Sequence, residues 1–206
     1  LGSVYSNLDL AEGLEMRTVL GANVLNQAIS QFTGRTIAPT QKGTANVSNS
    51  RESFWSLENY FTYNKRFGGV HAINALLGLS WQESNYFGTG VGIQNFSSDY
   101  FMYNNLGAGS TSPSYSSSRS RFAFNSYFGR VNYSLKDKYL LTVTGRVDGS
   151  SRFGANHKYA FFPSAALAWR VSEEDFLSGS SVISNLKIRS SYGVTGNSEI
   201  PSYSSL

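Results

Sequence analysis

The chain of 206 residues contains no cysteine, which excludes a disulfide scaffold and any metal site built on thiolates. Its two histidines, His71 and His157, lack metal-ligand spacing. Charged residues make up only 15% of the chain, compared with about 25% in ordinary domains. The 17 basic residues are scattered singly despite a pI of about 9.3. We therefore expect no nucleic-acid partner and no metal or other cofactor.

Long apolar runs are also missing. No stretch approaches the roughly 18 consecutive apolar residues of a transmembrane helix. The first residues, LGSVYSNLDLAEG, lack the basic and apolar regions of a signal peptide. Because position 1 is not methionine and already lies in a strand-like pattern, we expect the sequence to be a segment of a longer protein.

The chain is rich in tyrosine, phenylalanine, serine, asparagine and glycine, a mixture that disfavours helices. Apolar and polar residues alternate strictly along several runs. In residues 139–148, Tyr139, Leu141 and Val143 fall on one face, and Arg146 and Asp148 fall on the other. Such period-2 patterns indicate strands with one apolar and one polar face. The sequence predicts an all-β fold of about eight strands.

The links between these strands alternate in length. Short links are predicted near Glu12–Gly13, at RFGG (66–69) and at LKDK (135–138), with a medium link at 173–184. Long polar segments are predicted at about 33–51, about 87–120 and 149–158. Short turns on one side and long loops on the other are typical of an outer-membrane barrel. A soluble β-sandwich, the alternative fold, explains the amphipathic strands but not their length or the loop asymmetry, so the barrel is preferred.

Aromatic residues near predicted strand ends also favour the barrel, because aromatic girdles mark both membrane interfaces. These residues are Phe67, Trp81, Tyr133, Tyr139, Tyr159 and Trp169.

The segments YFGRVNYSLKDKYLLTVTGRVDGSSRFGANHKYAFFPSAALAWRVSEEDF (127–176) and ISNLKIRSSYGVTGN (183–197) closely resemble the barrel of SusC/RagA-type TonB-dependent outer-membrane transporters of Bacteroidetes-like bacteria. The upstream strands resemble that barrel as well. The resemblance implies that residues 1–206 form about eight antiparallel transmembrane strands of a plugged barrel of about 22 strands. It also implies that the plug and the barrel termini lie outside this chain.

The same resemblance implies what the protein does. It implies TonB-driven import, across the bacterial outer membrane, of a large nutrient, an oligosaccharide or a peptide. The expected partners are a SusD-like surface lipoprotein, TonB itself through a region outside this chain, and outer-membrane lipid. The alternative is a small stand-alone outer-membrane barrel or an adhesin without active transport.

Two groups of residues are candidate functional residues. Charge on a lipid-facing strand position costs about 2–4 kcal/mol at the bilayer midplane, so the polar face is expected to line a water-filled lumen. The candidates there, for which a structural role is favoured over substrate contact, are Arg130, Arg146, Asp148, Arg152, Arg170 and Arg189. Rings and amides suit a ligand with apolar faces and many hydroxyl or amide groups, and the candidates in the loop 97–120 are Tyr100, Tyr103, Asn104 and Asn105.

We do not expect an enzyme. The sequence has no G-x-S-x-G elbow, and GTGVGI (88–93) lacks the strand–turn–helix context of a nucleotide-binding loop. The acidic group Glu173, Glu174 and Asp175 is interpreted as a solvated turn rather than a cation site.

Overall fold

A computed structural model describes residues 1–37, 43–154, 158–177 and 182–197. His157 and parts of the predicted links at 33–51, 149–158 and 173–184 lie outside the described residues. The strands are β1 (Gly2–Ala11), β2 (Leu14–Thr33), β3 (Thr44–Phe67), β4 (His71–Gln94), β5 (Ser114–Leu135), β6 (Tyr139–Ser150), β7 (Tyr159–Arg170) and β8 (Lys187–Gly193). Short 3-10 helices span Met102–Asn104, Leu106–Ala108 and Val171–Glu173.

The eight strands form one sheet in which each strand lies beside its neighbour in the chain, in the order β1 to β8. The pairs β5–β6, β6–β7 and β7–β8 are antiparallel. This confirms the predicted all-β fold and the predicted number of strands. None of the helices among the described residues is both long and apolar enough to cross a membrane.

The three short links occur where the sequence predicts them. Lys136 and Asp137, between β5 and β6, both have φ of 54°, as the two central residues of a type I′ hairpin turn require. Between β3 and β4, Gly68 and Gly69 have φ of 57° and 70°. Glycine adopts this left-handed conformation without strain, which explains why two glycines occupy this link.

The long links are shorter than predicted because the strands extend further. β4 continues to Gln94 and β5 begins at Ser114, so the predicted loop 87–120 shrinks to 95–113. Likewise β3 already begins at Thr44, within the predicted loop 33–51. The extensions contain glycine and serine in place of alternating apolar residues. The small residues let β4 and β5 approach closely: a Cβ added to Gly92 would lie 2.6 Å from the Ser114 hydroxyl oxygen, and that hydroxyl donates to the Gly92 carbonyl oxygen at 3.2 Å.

One of the aromatic positions is wrong as a strand end. Trp81 lies in the middle of β4, because that strand continues to Gln94. Phe67, Tyr139 and Tyr159 are terminal strand residues, and Trp169 is one residue from the end of β7. Tyr133 is two residues from the end of β5.

The chain divides into two compact units. The first comprises Leu1, Ala22–Phe54 and Ser84–Arg121, and the second comprises Gly2–Gly21, Trp55–Glu83 and Phe122–Leu206. The first unit has a small apolar core, in which Ala45, Ile93 and Phe96 are buried and Phe32 and Leu106 pack against them. This core holds the described part of the links that follow β2 and β4.

The second unit buries almost no apolar side chains. Among the described residues of this unit, Val171 alone is a buried apolar residue, whereas Leu167 remains 62% exposed and Phe161 59% exposed. A soluble β-sandwich buries the apolar faces of its sheets against each other, so the sandwich interpretation is not supported. A broad exposed apolar surface indicates contact with lipid or another partner.

Candidate functional site

The strand register sorts the side chains of the second unit onto two faces. Arg146 lies opposite Phe128 on β5 and Phe162 on β7, and Asp148 lies opposite Ser126. The alternate positions on β6, such as Val143 and Val147, belong to the other face. We call the two surfaces the arginine face and the apolar face, the latter carrying Tyr139, Leu141, Val143, Leu167 and Trp169. The predicted alternation of β6 and β7 is therefore confirmed.

Arg146 is the centre of a hydrogen-bonded cluster on the arginine face. Its Nε donates to both carboxylate oxygens of Asp148, at 2.6 and 2.8 Å. Its Nη2 donates to Ser126 Oγ at 2.9 Å, and its guanidinium carbon lies 5.4 Å from the centre of the Phe128 ring. Charge-assisted bonds and a cation–π contact together fix the guanidinium. The structural role of Arg146 and Asp148 stays a prediction, and these contacts are the arrangement on which it depends.

Two aromatic rings and a glycine complete this cluster. The Tyr60 ring lies 6.0 Å from the Phe128 ring between centroids, and the Tyr60 hydroxyl donates to Glu58. A Cβ on Gly78 would overlap the Phe128 ring, so glycine at this position makes room for that ring beside β4. Sequence reasoning missed Glu58, Tyr60 and Phe128, because only the register between separate strands brings them to Arg146.

The other predicted charged residues lie apart from this cluster. Arg130 is opposite Thr144, Arg189 is opposite Ala168, and Arg170 is opposite Lys187. The register places these three arginines on the arginine face and does not bring them to Asp148. Arg152 lies just after β6, with its guanidinium carbon 4.3 Å from the centre of the Phe122 ring.

A ladder of amide groups crosses the same face near the short turns. Thr142 Oγ1 donates to Asn132 Oδ1 at 2.8 Å, Asn132 Nδ2 donates to Asn74 Oδ1 at 2.9 Å, and Asn74 Nδ2 donates to Asn64 Oδ1 at 2.6 Å. The ladder joins four strands, β3 to β6, and borders a cavity of about 530 Å³. Chains of hydrogen bonds polarise and strengthen one another, so the ladder fixes strand register. No pattern in the sequence predicted it.

The loop after β4 belongs to the first unit and is anchored at its start. Phe96 is fully buried and meets the Phe32 ring edge-on, with 5.5 Å between centroids. Arg35 Nε donates to Asp99 at 3.0 Å, and Arg35 Nη1 donates to the Ser97 carbonyl at 2.8 Å. The apolar anchor and the ion pair together hold the segment that precedes Tyr100.

The four predicted loop residues lie together on the exposed part of this loop. Tyr100 is 82% exposed, and its ring meets Phe101 edge-on at 5.0 Å. Tyr103 and Asn104 lie in the 3-10 helix Met102–Asn104, and Asn105 follows it. Tyrosine rings present a flat apolar surface together with a polar tip. The loop therefore offers exposed rings and amides on an anchored base.

A carboxylate joins three side chains at the turn end of the second unit. Glu174 Oε1 accepts bonds from the Tyr139 hydroxyl at 2.6 Å and Trp169 Nε1 at 3.0 Å, and Oε2 accepts a bond from Lys138 Nζ at 3.2 Å. These bonds, led by the one from Tyr139, lower the pKa of Glu174 to about 2. The interpretation of 173–175 as a merely solvated turn is wrong for Glu174, whose side chain is only 17% exposed.

A second turn-end ion pair joins the β3–β4 and β5–β6 links. Arg66 donates from Nη1 and Nη2 to the two carboxylate oxygens of Asp137, at 3.1 and 3.0 Å. This bidentate bond lowers the pKa of the Asp137 carboxyl. Nowhere in the described ranges do three or more histidine, aspartate or glutamate side chains group as metal ligands.

Comparison with known proteins gives consistent matches. Residues 4–206 match the family described as "TonB dependent receptor-like, beta-barrel". The chain is 40% identical over 204 residues to TonB-dependent receptor P3 of Formosa agariphila, covering 98% of this chain and 20% of that protein. It is 52% identical over 75 residues to TonB-dependent receptor SusC of Bacteroides thetaiotaomicron, covering 36% of this chain and 8% of SusC.

Solved structures agree with the sequence matches. The RagAB peptide transporter superposes with a TM-score of 0.87 at 26% identity, covering 98% of this chain and 23% of that one. The chain thus spans about a fifth of the length of TonB-dependent receptor P3 and slightly more of the matched RagAB chain. Because the family match extends over nearly every residue, the chain belongs to the TonB-dependent receptor family and corresponds to a part of its β-barrel.

Proposed function

We propose that residues 1–206 form part of the β-barrel domain of an outer-membrane transporter. This transporter imports a large nutrient with energy from TonB. The observation that carries the proposal is the contrast between the two faces of the second unit. Exposed Leu167 and Phe161 lie on the apolar face, and the Arg146–Asp148 pair lies on the other. Apolar-out and polar-in alternation is how a β-barrel spans a bilayer around an aqueous lumen.

In this proposal the six predicted charged residues belong to the wall of the lumen. Arg146 and Asp148 act as a structural pair, since each already has a close partner of opposite charge. Arg130, Arg170 and Arg189 add positive charge to the same wall. Positive side chains in a confined aqueous space attract anionic groups, and a guanidinium also donates hydrogen bonds to the hydroxyl or carbonyl oxygens of a neutral solute.

The substrate class we propose is an oligosaccharide or, alternatively, a peptide. Exposed rings at Tyr100 and Tyr103 with amides at Asn104 and Asn105 suit the flat apolar faces and hydroxyl groups of a sugar. The peptide alternative is supported by the likeness to the RagAB peptide transporter. The likeness to SusC supports a SusD-like surface lipoprotein as the partner that binds the substrate together with this protein.

Growth of a deletion strain tests the proposal. A strain lacking the full-length gene should lose growth on one glycan or peptide mixture and regain it with a plasmid copy, but not with a copy lacking the TonB-interacting segment. Growth that is unchanged on every large nutrient, with normal adhesion lost instead, would support the adhesin alternative. Co-purification of a surface lipoprotein with the full-length protein tests the proposed partner.

A further inference from the structure

The apolar face of the second unit contains a groove near its turn end. The groove has a volume of about 500 Å³, within the range of about 300–1,000 Å³ that is typical of small-molecule sites. Its walls come from four adjacent strands. The apolar-face residues that line it, which define what we call the girdle groove, are Tyr133, Leu135, Tyr139, Leu141, Leu167, Trp169 and Ile188.

Hydrogen bonds hold two walls of the girdle groove in place. Tyr139 and Trp169 are direct cross-strand partners, and both donate to the same oxygen of Glu174. Their polar atoms are thereby satisfied at the turn end, while their rings extend along the groove. Rings fixed in this way give the groove a defined width, unlike the flexible side chains of an ordinary lipid-facing surface.

Charges of both signs adjoin the end of the groove at which Tyr139 and Trp169 contact Glu174. The Lys138 ammonium lies 3.2 Å from Glu174 and 3.7 Å from Asp175. One ammonium and two carboxylates leave an excess of negative charge. Asp175 extends fully into solvent, with its side chain 106% exposed, so this charge is presented outward next to the apolar walls.

We propose that the girdle groove binds one acyl chain of phosphatidylethanolamine, with the lipid phosphate at Lys138 and its ammonium beside the carboxylates of Glu174 and Asp175. An apolar slot with a mixed-charge mouth matches a lipid that has an apolar tail and a zwitterionic head. Phosphatidylglycerol and cardiolipin carry no positive charge, so the excess of carboxylate disfavours them. In this proposal the ammonium and the carboxylates bind the head group of the lipid, and the apolar groove binds its acyl chain.

This inference rests on the outer-membrane location proposed above, which is tested first by density-gradient fractionation of cells. Purified full-length protein is then reconstituted into nanodiscs with equal amounts of phosphatidylethanolamine and phosphatidylglycerol. After re-extraction in mild detergent, the lipid that remains bound is quantified by mass spectrometry. We expect phosphatidylethanolamine to be enriched about tenfold, a preference of about 1.4 kcal/mol.

Two substitutions identify the groove as the origin of this preference. Leu167→Trp fills the groove and should return the bound-lipid ratio to the input ratio. Lys138→Gln removes the phosphate contact and one of the three bonds to Glu174, while the bonds from Tyr139 and Trp169 to Glu174 remain. It should lower the enrichment even if the tryptophan variant folds poorly. Val143→Trp is the matched control, because Val143 is an exposed residue of the apolar face outside the groove lining. This control should keep the enrichment.

The outcomes separate the two proposals. Protein in the outer membrane whose bound lipid matches the input ratio overturns the lipid site and leaves the transport proposal intact. Equal enrichment in the wild type and both groove variants also overturns it. Protein absent from the outer-membrane fraction overturns the transport proposal, and the lipid site with it.

Discussion

Arg146 and Asp148, separated by a single residue on β6, form an ion pair in which Nε lies 2.6 Å from the nearer carboxylate oxygen. Both side chains are partly buried, and Ser126 and Phe128 hold the guanidinium from the neighbouring strand. The two charged residues that the alternation assigns to the polar face therefore form an ion pair held in one arrangement, and neither is an isolated charge. This arrangement determines what a substitution there should do.

Asp148→Asn should destabilise the barrel by about 1 kcal/mol, because it leaves a partly desolvated guanidinium with a weaker acceptor. Guanidinium-chloride unfolding of the full-length protein in detergent measures this loss. The matched control is Arg130→Gln, which removes a charge from the same face outside the cluster and should change stability by less than about 0.5 kcal/mol. Equal losses in the two variants would show that the pair has no special structural role.

The amide ladder predicts that substitutions in its middle cost more stability than substitutions at its end. Asn132→Ala removes two ladder bonds and should cost about 1–3 kcal/mol, since each net hydrogen bond contributes about 1 kcal/mol. Thr142→Val removes one terminal bond and should cost about half as much. The same unfolding assay compares the two. A larger loss for Thr142→Val than for Asn132→Ala would contradict the ladder as described.

Acid should weaken the turn end of the second unit. The bonds from Tyr139, Trp169 and Lys138 lower the pKa of Glu174 to about 2, below the value of about 4.3 expected in the unfolded chain. A lowered carboxyl pKa contributes stability that is full above about pH 4.3 and is lost as the pH falls toward 2. The melting temperature of wild type should therefore exceed that of Glu174→Gln at pH 6, and the difference should vanish near pH 2. A constant difference across this range would contradict the assignment.

Two substitutions in the loop after β4 distinguish ligand contact from loop stability. If Tyr100 stacks on a substrate, Tyr100→Ala should weaken binding about 3- to 10-fold, corresponding to about 0.5–1.5 kcal/mol for an aromatic contact, with stability unchanged. Phe96→Ala should instead cost about 3–5 kcal/mol, because Phe96 is fully buried. Calorimetric titration with the growth-supporting nutrient measures the first effect, and thermal unfolding measures the second. Unchanged affinity in Tyr100→Ala would exclude this tyrosine from the binding surface.

The local sequence pattern predicted the features that a single strand or turn determines by itself, namely strand faces and short turns. The two-residue period of β6 and β7 placed Arg146 and Asp148 on one face, and the short turns followed from local turn chemistry. Strand length was underestimated where glycine and serine replace the alternating apolar residues, because backbone pairing there leaves no period to detect. This is why the ends of β4 and β5 were missed.

Contacts between distant strands were beyond the reach of sequence pattern. Asn74 and Asn132 are 58 residues apart in the chain, and their hydrogen bond depends on a register that no single segment encodes. The same holds for Tyr60 and Phe128, which meet only after β3, β4 and β5 have paired. Glu174 appeared as a solvated turn residue because its partners Tyr139 and Trp169 belong to two other strand ends.

The most direct test of the central claim is cysteine scanning along β6. The chain contains no cysteine of its own, so single cysteines at positions 141 to 144 can be spin-labelled in full-length protein from which other cysteines have been removed. In a bilayer, labels at Leu141→Cys and Val143→Cys should be accessible to oxygen in the lipid. Labels at Thr142→Cys and Thr144→Cys should be shielded from oxygen in the lipid. They should be accessible to a water-soluble nickel complex if they face water, and to neither reagent if they are packed against other protein segments. Equal oxygen accessibility at all four positions, or the reverse alternation, would contradict a barrel wall with its apolar face in lipid.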